Sequence, residues 1–211
     1  SHFIGLQNYI DLSRDIVFIK ALRNTLIYTV LALVPTMVLG LVLALLINKK
    51  FRGRAFFRAI FYMPNIVSLV AASLAWMYLF AEVGIINMFL RKLGMSTVHW
   101  LTDPNIALIC VVVVSLWMSG GHNMLLFLSG LQSIPTHLYE AASIDGANGW
   151  QQFWKVTIPQ LAPTTFFVFV MTCIASFQVF GQIYMMTNGG PDNATTTLAH
   201  QIYLNAFQYY K

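Results

Sequence analysis

The side chains able to do chemistry in this sequence fall into two sets: a hydrophilic loop from Glu140 to Pro159, and uncharged polar groups scattered inside long apolar runs. Glu140 and Asp145 are the loop's carboxylates, and Ala141, Ala142 and Gly146 beside them carry almost no side chain. A carboxylate offers a charge-assisted contact, and small neighbours let another surface approach the backbone, which is the chemistry of docking. Catalytic arrangements are absent from the sequence: there is no Gly-x-x-x-x-Gly-Lys-Ser/Thr phosphate loop, no Gly-Lys pair and no His-Glu-x-x-His, and the five histidines are scattered. The chain reads as no enzyme, with no catalytic residue, no metal site and no cofactor of its own. Cys110 and Cys173 lie inside apolar runs, without the paired spacing of zinc ligands or the placement of a disulfide framework, and read as helix-packing residues.

Polar groups within apolar runs usually face a bundle interior or a water-filled cavity. Thr165, Thr172 and Ser176 share one helical face, and Gln178 and Gln182 share another about 120° away. Ser115, Trp117, Ser119, His122 and Asn123 gather around Gly120-Gly121. Sugar sites join aromatic faces to amides and hydroxyls, so Trp117, Asn123, Phe177, Gln178 and Gln182 are the candidates for a substrate pathway. Helix packing explains each of them equally well. No Asp, Glu, Lys or Arg lies within these runs, whereas an ion-coupled carrier often needs one. A neutral pathway suits an uncharged solute, with glycerol phosphate possible through loop arginines.

The elements that must position these residues follow from composition. Of 211 residues, 58% are hydrophobic and only 9% charged, against about 25% charged in an ordinary soluble domain. The mean hydropathy is +0.68, and lipid is the better solvent for such a chain. Charge-free intervals of 25 residues (Arg23 to Lys49), 23 (Arg58 to Glu82) and twice 36 (Asp103 to Glu140, Lys155 to Asp192) each exceed the roughly 20 residues a helical span needs. They predict an all-α polytopic membrane bundle with four complete spans, Asn24 to Ile47, Ala59 to Ala81, Ile106 to Leu131 and Leu161 to Met186, plus the start of another helix after Asn193. Pro35 and Pro64 fall inside the first two and can kink them.

The net charge of +5 does not form the aromatic-interleaved stripe that nucleic acid requires. Lys49, Lys50, Arg52, Arg54 and Arg58 crowd one short connection, which makes 48–58 a cytoplasmic loop and puts 132–160 on the same side. On the other side, Ile85, Ile86, Met88, Phe89, Leu90 and Leu93 predict a short interfacial helix, with His99 and Trp100 as surface anchors rather than ligands. Ser1 to Tyr9 show no signal peptide, and the sequence reads as cut at both ends.

Within the loop, Pro135 suits a helix start, and Leu138, Ala141, Ala142 and Asp145 follow at helical spacing until Gly146 permits a sharp exit. Asn148 can cap a second short helix, Gly149 to Lys155, with Trp150, Phe153 and Trp154 as an aromatic face. The pattern Glu140-Ala141-Ala142, three residues, Gly146, nine residues, Val156, one residue, Ile158-Pro159 resembles the cytoplasmic signature loop of bacterial ABC importer permeases. The Asp145-Gly146-Ala147 version resembles the carbohydrate branch, of the maltose and glycerol-phosphate type. Gly5-Leu6-Gln7-Asn8-Tyr9, Ala21-Leu22-Arg23-Asn24-Thr25, and Met186 to Pro191 with Thr197, Tyr203, Ala206 and Phe207 extend the likeness over nearly the whole chain.

The resemblance implies that 1–211 is one permease domain lacking its first and last helices, set in the bacterial inner membrane, with 132–160 as a coupling loop. It implies docking onto an ATP-binding subunit through Glu140, Ala141, Ala142, Ile144, Asp145, Gly146, Ile158 and Pro159, with ATP and Mg held by that subunit. A second homologous permease subunit and an extracytoplasmic solute-binding protein would complete the importer. The competing expectations are a secondary carrier for a small polar solute and a membrane scaffold with no transport.

Overall fold

The computed structural model describes residues 5–49 and 51–209. Lys50 of the basic connection, residues 1–4 of the signal-peptide reading and residues 210–211 of the expected last helix lie outside the described residues. All regular structure among the described residues is helical: α1 Gln7–Arg14, α2 Ile16–Asn48, α3 Arg54–Ile66, α4 Leu69–Phe80, α5 Ile85–Lys92, α6 Ala107–Ser133, α7 Thr136–Ile144, α8 Gly149–Gln152, α9 Ile158–Gln160, α10 Ala162–Phe177, α11 Gly181–Met186 and α12 Leu198–Tyr203. Four stretches are long and apolar enough to cross a membrane: Ile16–Asn48, Leu69–Lys92, Ala107–Ser133 and Ala162–Met186. The all-helical, four-span expectation holds.

Two of the expected spans are interrupted. Ala59 to Ala81 is divided between α3, which ends at Ile66, and α4, which begins after Ser68. Pro64 lies in the last turn of α3, where its missing N–H weakens the ladder. Leu161 to Met186 is divided between α10 and α11, with Gln178, Val179 and Phe180 unwound between them. Pro35, by contrast, sits inside a continuous α2.

The chain forms two compact units, Ser1–Ala32 with Val67–Ser115 and Ala175–Lys211, and Leu33–Ile66 with Leu116–Ile174. In the first unit the unwound backbone at Val179 is satisfied by the Thr197 hydroxyl, which donates to its carbonyl at 3.0 Å. Membrane helices tolerate a break only when the freed carbonyls find such partners. Gly181, at the start of α11, lies directly against the Leu69 side chain of α4. The segment after α11 folds back through buried Thr195, Thr196 and Thr197. The Asn24 amide donates to the carbonyls of Asn193 (2.9 Å) and Thr196 (3.0 Å), and the Thr25 hydroxyl accepts from Leu198 N–H at 2.9 Å. Asn188, Asp192 and Asn193 take positive φ there, a conformation their short polar side chains tolerate.

The short helix expected between the second and third spans is α5, which continues the Leu69–Lys92 stretch. Its one buried side chain, Asn87, accepts from Trp100 Nε1 (3.2 Å) and Val98 N–H (3.0 Å) and donates to the Val98 and Ala81 carbonyls. His99 Nδ1 meets exposed Glu82 at 2.7 Å. Trp100 also packs on Phe80 with ring centroids 5.9 Å apart, so both residues are occupied in holding the loop.

In the second unit, Ala44, Ile47, Met124, Phe127, Leu128, Leu131, Ile134, Leu161 and Val168 make one buried cluster. Leu138 and Tyr139 of α7 pack against it, so the hydrophilic loop is rooted in the unit's core.

Candidate functional site

The loop from Ile134 to Leu161 is a braced helical protrusion. Pro135, at φ −64° and ψ 133°, stands just before the first turn of α7. The helix stops because Gly146 adopts φ +77°. Gly146 N–H then donates to the Ser143 carbonyl (3.1 Å) and Ala147 N–H to the Ala142 carbonyl (2.9 Å). That double bond pattern is the Schellman motif, which a left-handed glycine permits without a Cβ penalty. Next, Asn148 Oδ1 accepts from Gln151 N–H (2.9 Å) while Gln151 Oε1 accepts from Asn148 N–H (2.9 Å), a reciprocal capping box that starts α8.

The second helix runs further than its sequence predicts. After α8 the backbone winds as a π-helix through Phe153–Thr157 and returns to α-geometry in α9. Single π-turns of this kind are frequent at functional sites. Trp150, Phe153 and Trp154 cluster with centroids 5.2–6.1 Å apart. Two braces join the arms: Gln152 donates to the Ser143 hydroxyl (2.9 Å) and the Ala147 carbonyl (3.1 Å), and the Tyr139 and Thr157 hydroxyls meet at 2.9 Å. Sequence reading missed Gln152, Tyr139 and Thr157; only the Asn-x-x-Gln spacing at Asn148 and Gln151 signalled part of this network.

The arrangement exposes what a partner would read. Glu140, Ala141, Asp145, Gly146 and Pro159 are exposed, while Ala142 and Ile158 are half-buried. Ile144 is 87% exposed and Trp150 69%, which presents two large apolar side chains on the surface of the protrusion. A Cβ built on Gly146 meets nothing within 4 Å, so within this chain the glycine is needed for its φ, and the space over it is open to another molecule. The capping box gives a direct check. Asn148→Ala should destabilise the α8 turn by about 1 kcal/mol, read as roughly fivefold faster hydrogen exchange at the Gln151 amide.

The candidate pathway residues lie in different units. Trp117 and Asn123 are on α6 in the second, where Asn123 is buried, donates to the Thr172 hydroxyl at 3.1 Å and has its Cβ against Gly40. Its amide is engaged in helix packing. Phe177, Gln178 and Gln182 belong to the first unit and flank the interruption between α10 and α11, where Phe177 and Gln178 are exposed and Gln182 half-buried. Trp117 is 40% exposed.

Four apolar helical stretches, two interrupted spans and a braced hydrophilic protrusion describe a polytopic membrane protein. Residues 20–210 match the family of binding-protein-dependent transport system inner membrane components, and the chain belongs to that family. It is 36% identical to a probable ABC transporter permease protein of Pyrococcus horikoshii over 209 residues, covering 98% of this chain and 72% of that protein. It is 39% identical to the sn-glycerol-3-phosphate transport system permease protein of Agrobacterium fabrum over 211 residues, 98% of this chain and 71% of that one. Two crystal structures of a bacterial alginate ABC transporter superpose with TM-scores of 0.90 and 0.88, at 26% and 28% identity, covering 99% and 98% of this chain and 74% and 73% of theirs. One was solved in complex with an alginate pentasaccharide-bound periplasmic protein. The protein is thus a multi-pass inner-membrane permease of a binding-protein-dependent importer. Its relatives are transport permeases and not enzymes, and the family assignment favours this reading over a secondary carrier.

Proposed function

We propose that this permease carries a saccharide or a glycerol-phosphate-like solute, and that the protrusion from Glu140 to Pro159 is the seat of a separate ATP-binding subunit. The observation that carries the docking reading is the rigid protrusion itself: a Schellman turn at Gly146, a capping box at Asn148 and exposed Ile144, all cross-braced to the core. Glu140 supplies a charge-assisted contact, and Ala141, Ala142 and Gly146 allow close approach. Ile144, Asp145, Ile158 and Pro159 complete the contact surface. ATP and Mg belong to the partner, consistent with the lack of a phosphate loop in this sequence. A second permease subunit and an extracytoplasmic binding protein complete the assembly.

ATP acts by favouring one packing of the helices over another through differential contacts at this seat. Because the loop is rooted beside Leu138 and Tyr139 in the core cluster, a force on Ile144 is transmitted rather than absorbed. For the solute, the supporting observation is the unwound Gln178–Phe180 segment, which leaves Phe177, Gln178 and Gln182 beside irregular backbone. Non-helical backbone at membrane depth is found where it is buried in protein or lines a cavity. Trp117 and Asn123 are the pathway candidates of the other unit.

Reconstitution of the full-length subunit tests the reading. Co-purification with its ATP-binding subunit and uptake that requires ATP plus a solute-loaded binding protein are expected. Uptake driven by an ion gradient without ATP would overturn it. Across a solute panel, saccharides and glycerol phosphate should stimulate the assembled ATPase, and stimulation by neither would sink the substrate class.

A further inference from the structure

The basic connection between α2 and α3 is not used by the docking mechanism. Arg54 and Arg58, one helical turn apart on α3, line a cavity of about 120 Å³ with Ile47, Ala55, Leu128 and Gln132. Among the described residues neither guanidinium has an ion-pair partner; the ion pairs are Lys20 with Asp192 and His99 with Glu82, both elsewhere. The second unit holds six Lys/Arg against two carboxylates, Glu140 and Asp145, and neither carboxylate lines this cavity. Two exposed arginines therefore line a small cavity with no carboxylate among its lining residues, and forked donors of this kind match phosphate oxygens.

The surroundings decide which phosphate. Ile47 and Leu128 are buried members of the apolar cluster, while Gln132 adds an amide at the cavity wall. On α3, Phe56, Phe57, Ile60 and Met63 are exposed, and Phe51 and Phe57 associate with centroids 5.9 Å apart. A helix with basic side chains among exposed aromatics belongs at a membrane surface. A soluble phosphate would gain nothing from that apolar surface, whereas a lipid places its headgroup on the arginines and its chains over the phenylalanines.

We propose that the Arg54–Arg58 cavity binds the phosphodiester headgroup of an anionic phospholipid. Basic pockets beside membrane helices are suited to such headgroups. Leu128 and Gln132 lie in the last turns of α6, directly before Ile134 and Pro135 where the protrusion begins. A lipid held there braces the root of that protrusion. Placing it in the cytoplasmic leaflet rests on the docking reading above; the binding itself does not.

Native mass spectrometry of the assembled transporter, carrying the full-length subunit and equilibrated with phosphatidylglycerol and phosphatidylcholine, measures it. Phosphatidylglycerol should be retained selectively. The double substitution Arg54→Gln with Arg58→Gln should lower that retention by about tenfold or more, as expected for two cations at a membrane surface. The charge-matched pair Arg91→Gln with Lys92→Gln on α5 should leave it unchanged, and excess sn-glycerol 3-phosphate should not displace the lipid. Unchanged retention in the first pair, or equal loss in both pairs, would overturn the proposal; displacement by glycerol phosphate would instead assign the cavity to a soluble anion and overturn it too. If the first pair does not accumulate, the wild-type complex in nanodiscs decides: its thermal transition should rise with phosphatidylglycerol over phosphatidylcholine, and no difference overturns the site. Lipid retention is read equally on the full-length subunit by itself, so a subunit that keeps its lipid yet never binds an ATPase would sink the docking reading alone.

Discussion

Gly146→Asp is expected to leave the full-length subunit in the membrane at normal abundance while lowering ATP-driven uptake by on the order of thirtyfold. Two effects add. Gly146 holds φ +77°, a backbone where most side chains cost roughly 1–2 kcal/mol and aspartate less, and the new carboxylate projects into the open space over the turn, where the ATP-binding subunit is proposed to sit. A hot-spot position at the centre of an interface contributes about 2 kcal/mol or more, or roughly thirtyfold in affinity. Gly146→Asn isolates the occupied space, since asparagine tolerates left-handed backbone and fills the same volume without the charge. If Asn restores full uptake, the glycine serves the turn alone and the close-approach claim fails. Glu140→Lys, on an exposed carboxylate, tests the charge: basal ATPase activity should persist while its coupling to uptake is lost. Normal uptake in Gly146→Asp and Glu140→Lys, at normal abundance, would remove the protrusion from the mechanism.

Much of that site was legible because it is built from local chemistry. A glycine after a helical run and an asparagine two residues later are turn and cap signals that act within a few bonds, and the structure uses both as read. The π-geometry of Phe153–Thr157 and the continuation past Lys155 were not legible, because a π-turn depends on contacts such as Tyr139 with Thr157, 18 residues apart. The same division explains the spans. Their number follows from charge-free length alone. The break after Pro64 was announced by that proline, but the one at Gln178 to Phe180 was not, since it lies in an uncharged, apolar run and its freed Val179 carbonyl finds a partner in Thr197, beyond the next helix. A break satisfied by a distant hydroxyl leaves no mark in the local pattern. Asn123 shows the converse ambiguity: an amide in an apolar run announces a polar partner, but only the fold names it as Thr172.

The glycine pair on α6 gives the sharpest stability contrast. Helices in lipid gain little from hydrophobic burial against one another and depend on close packing over small residues. A Cβ at Gly121 would fall on the Phe61 carbonyl oxygen, with the carbonyl carbon at 2.6 Å and Tyr62 Cα at 2.8 Å. All of these are backbone atoms of α3, which cannot swing aside. A Cβ at adjacent Gly120 would meet Leu39 Cδ2 at 2.8 Å, the far end of a flexible side chain. Overpacking against atoms that cannot relax falls at the upper end of the usual range, about 3 kcal/mol, whereas a rotatable neighbour brings it to the lower end, about 1 kcal/mol. Gly121→Ala is therefore expected to cut membrane abundance of the full-length subunit severely and lower its thermal aggregation midpoint, while Gly120→Ala leaves both near wild type. Because both substitutions add the same methyl group at neighbouring positions of one helix, helix propensity cancels between them. Equal effects from the two would mean that α3 does not approach Gly121 as closely as its carbonyl at Phe61 requires. Gly40, whose Cβ would meet Asn123 Cβ at 2.7 Å and the Asn123 carbonyl carbon at 3.0 Å, should behave like Gly121, since its neighbours are also main-chain or directly attached to it. A severe Gly121→Ala with a silent Gly40→Ala would confine the close approach to α3 and leave α2 free to shift against α6.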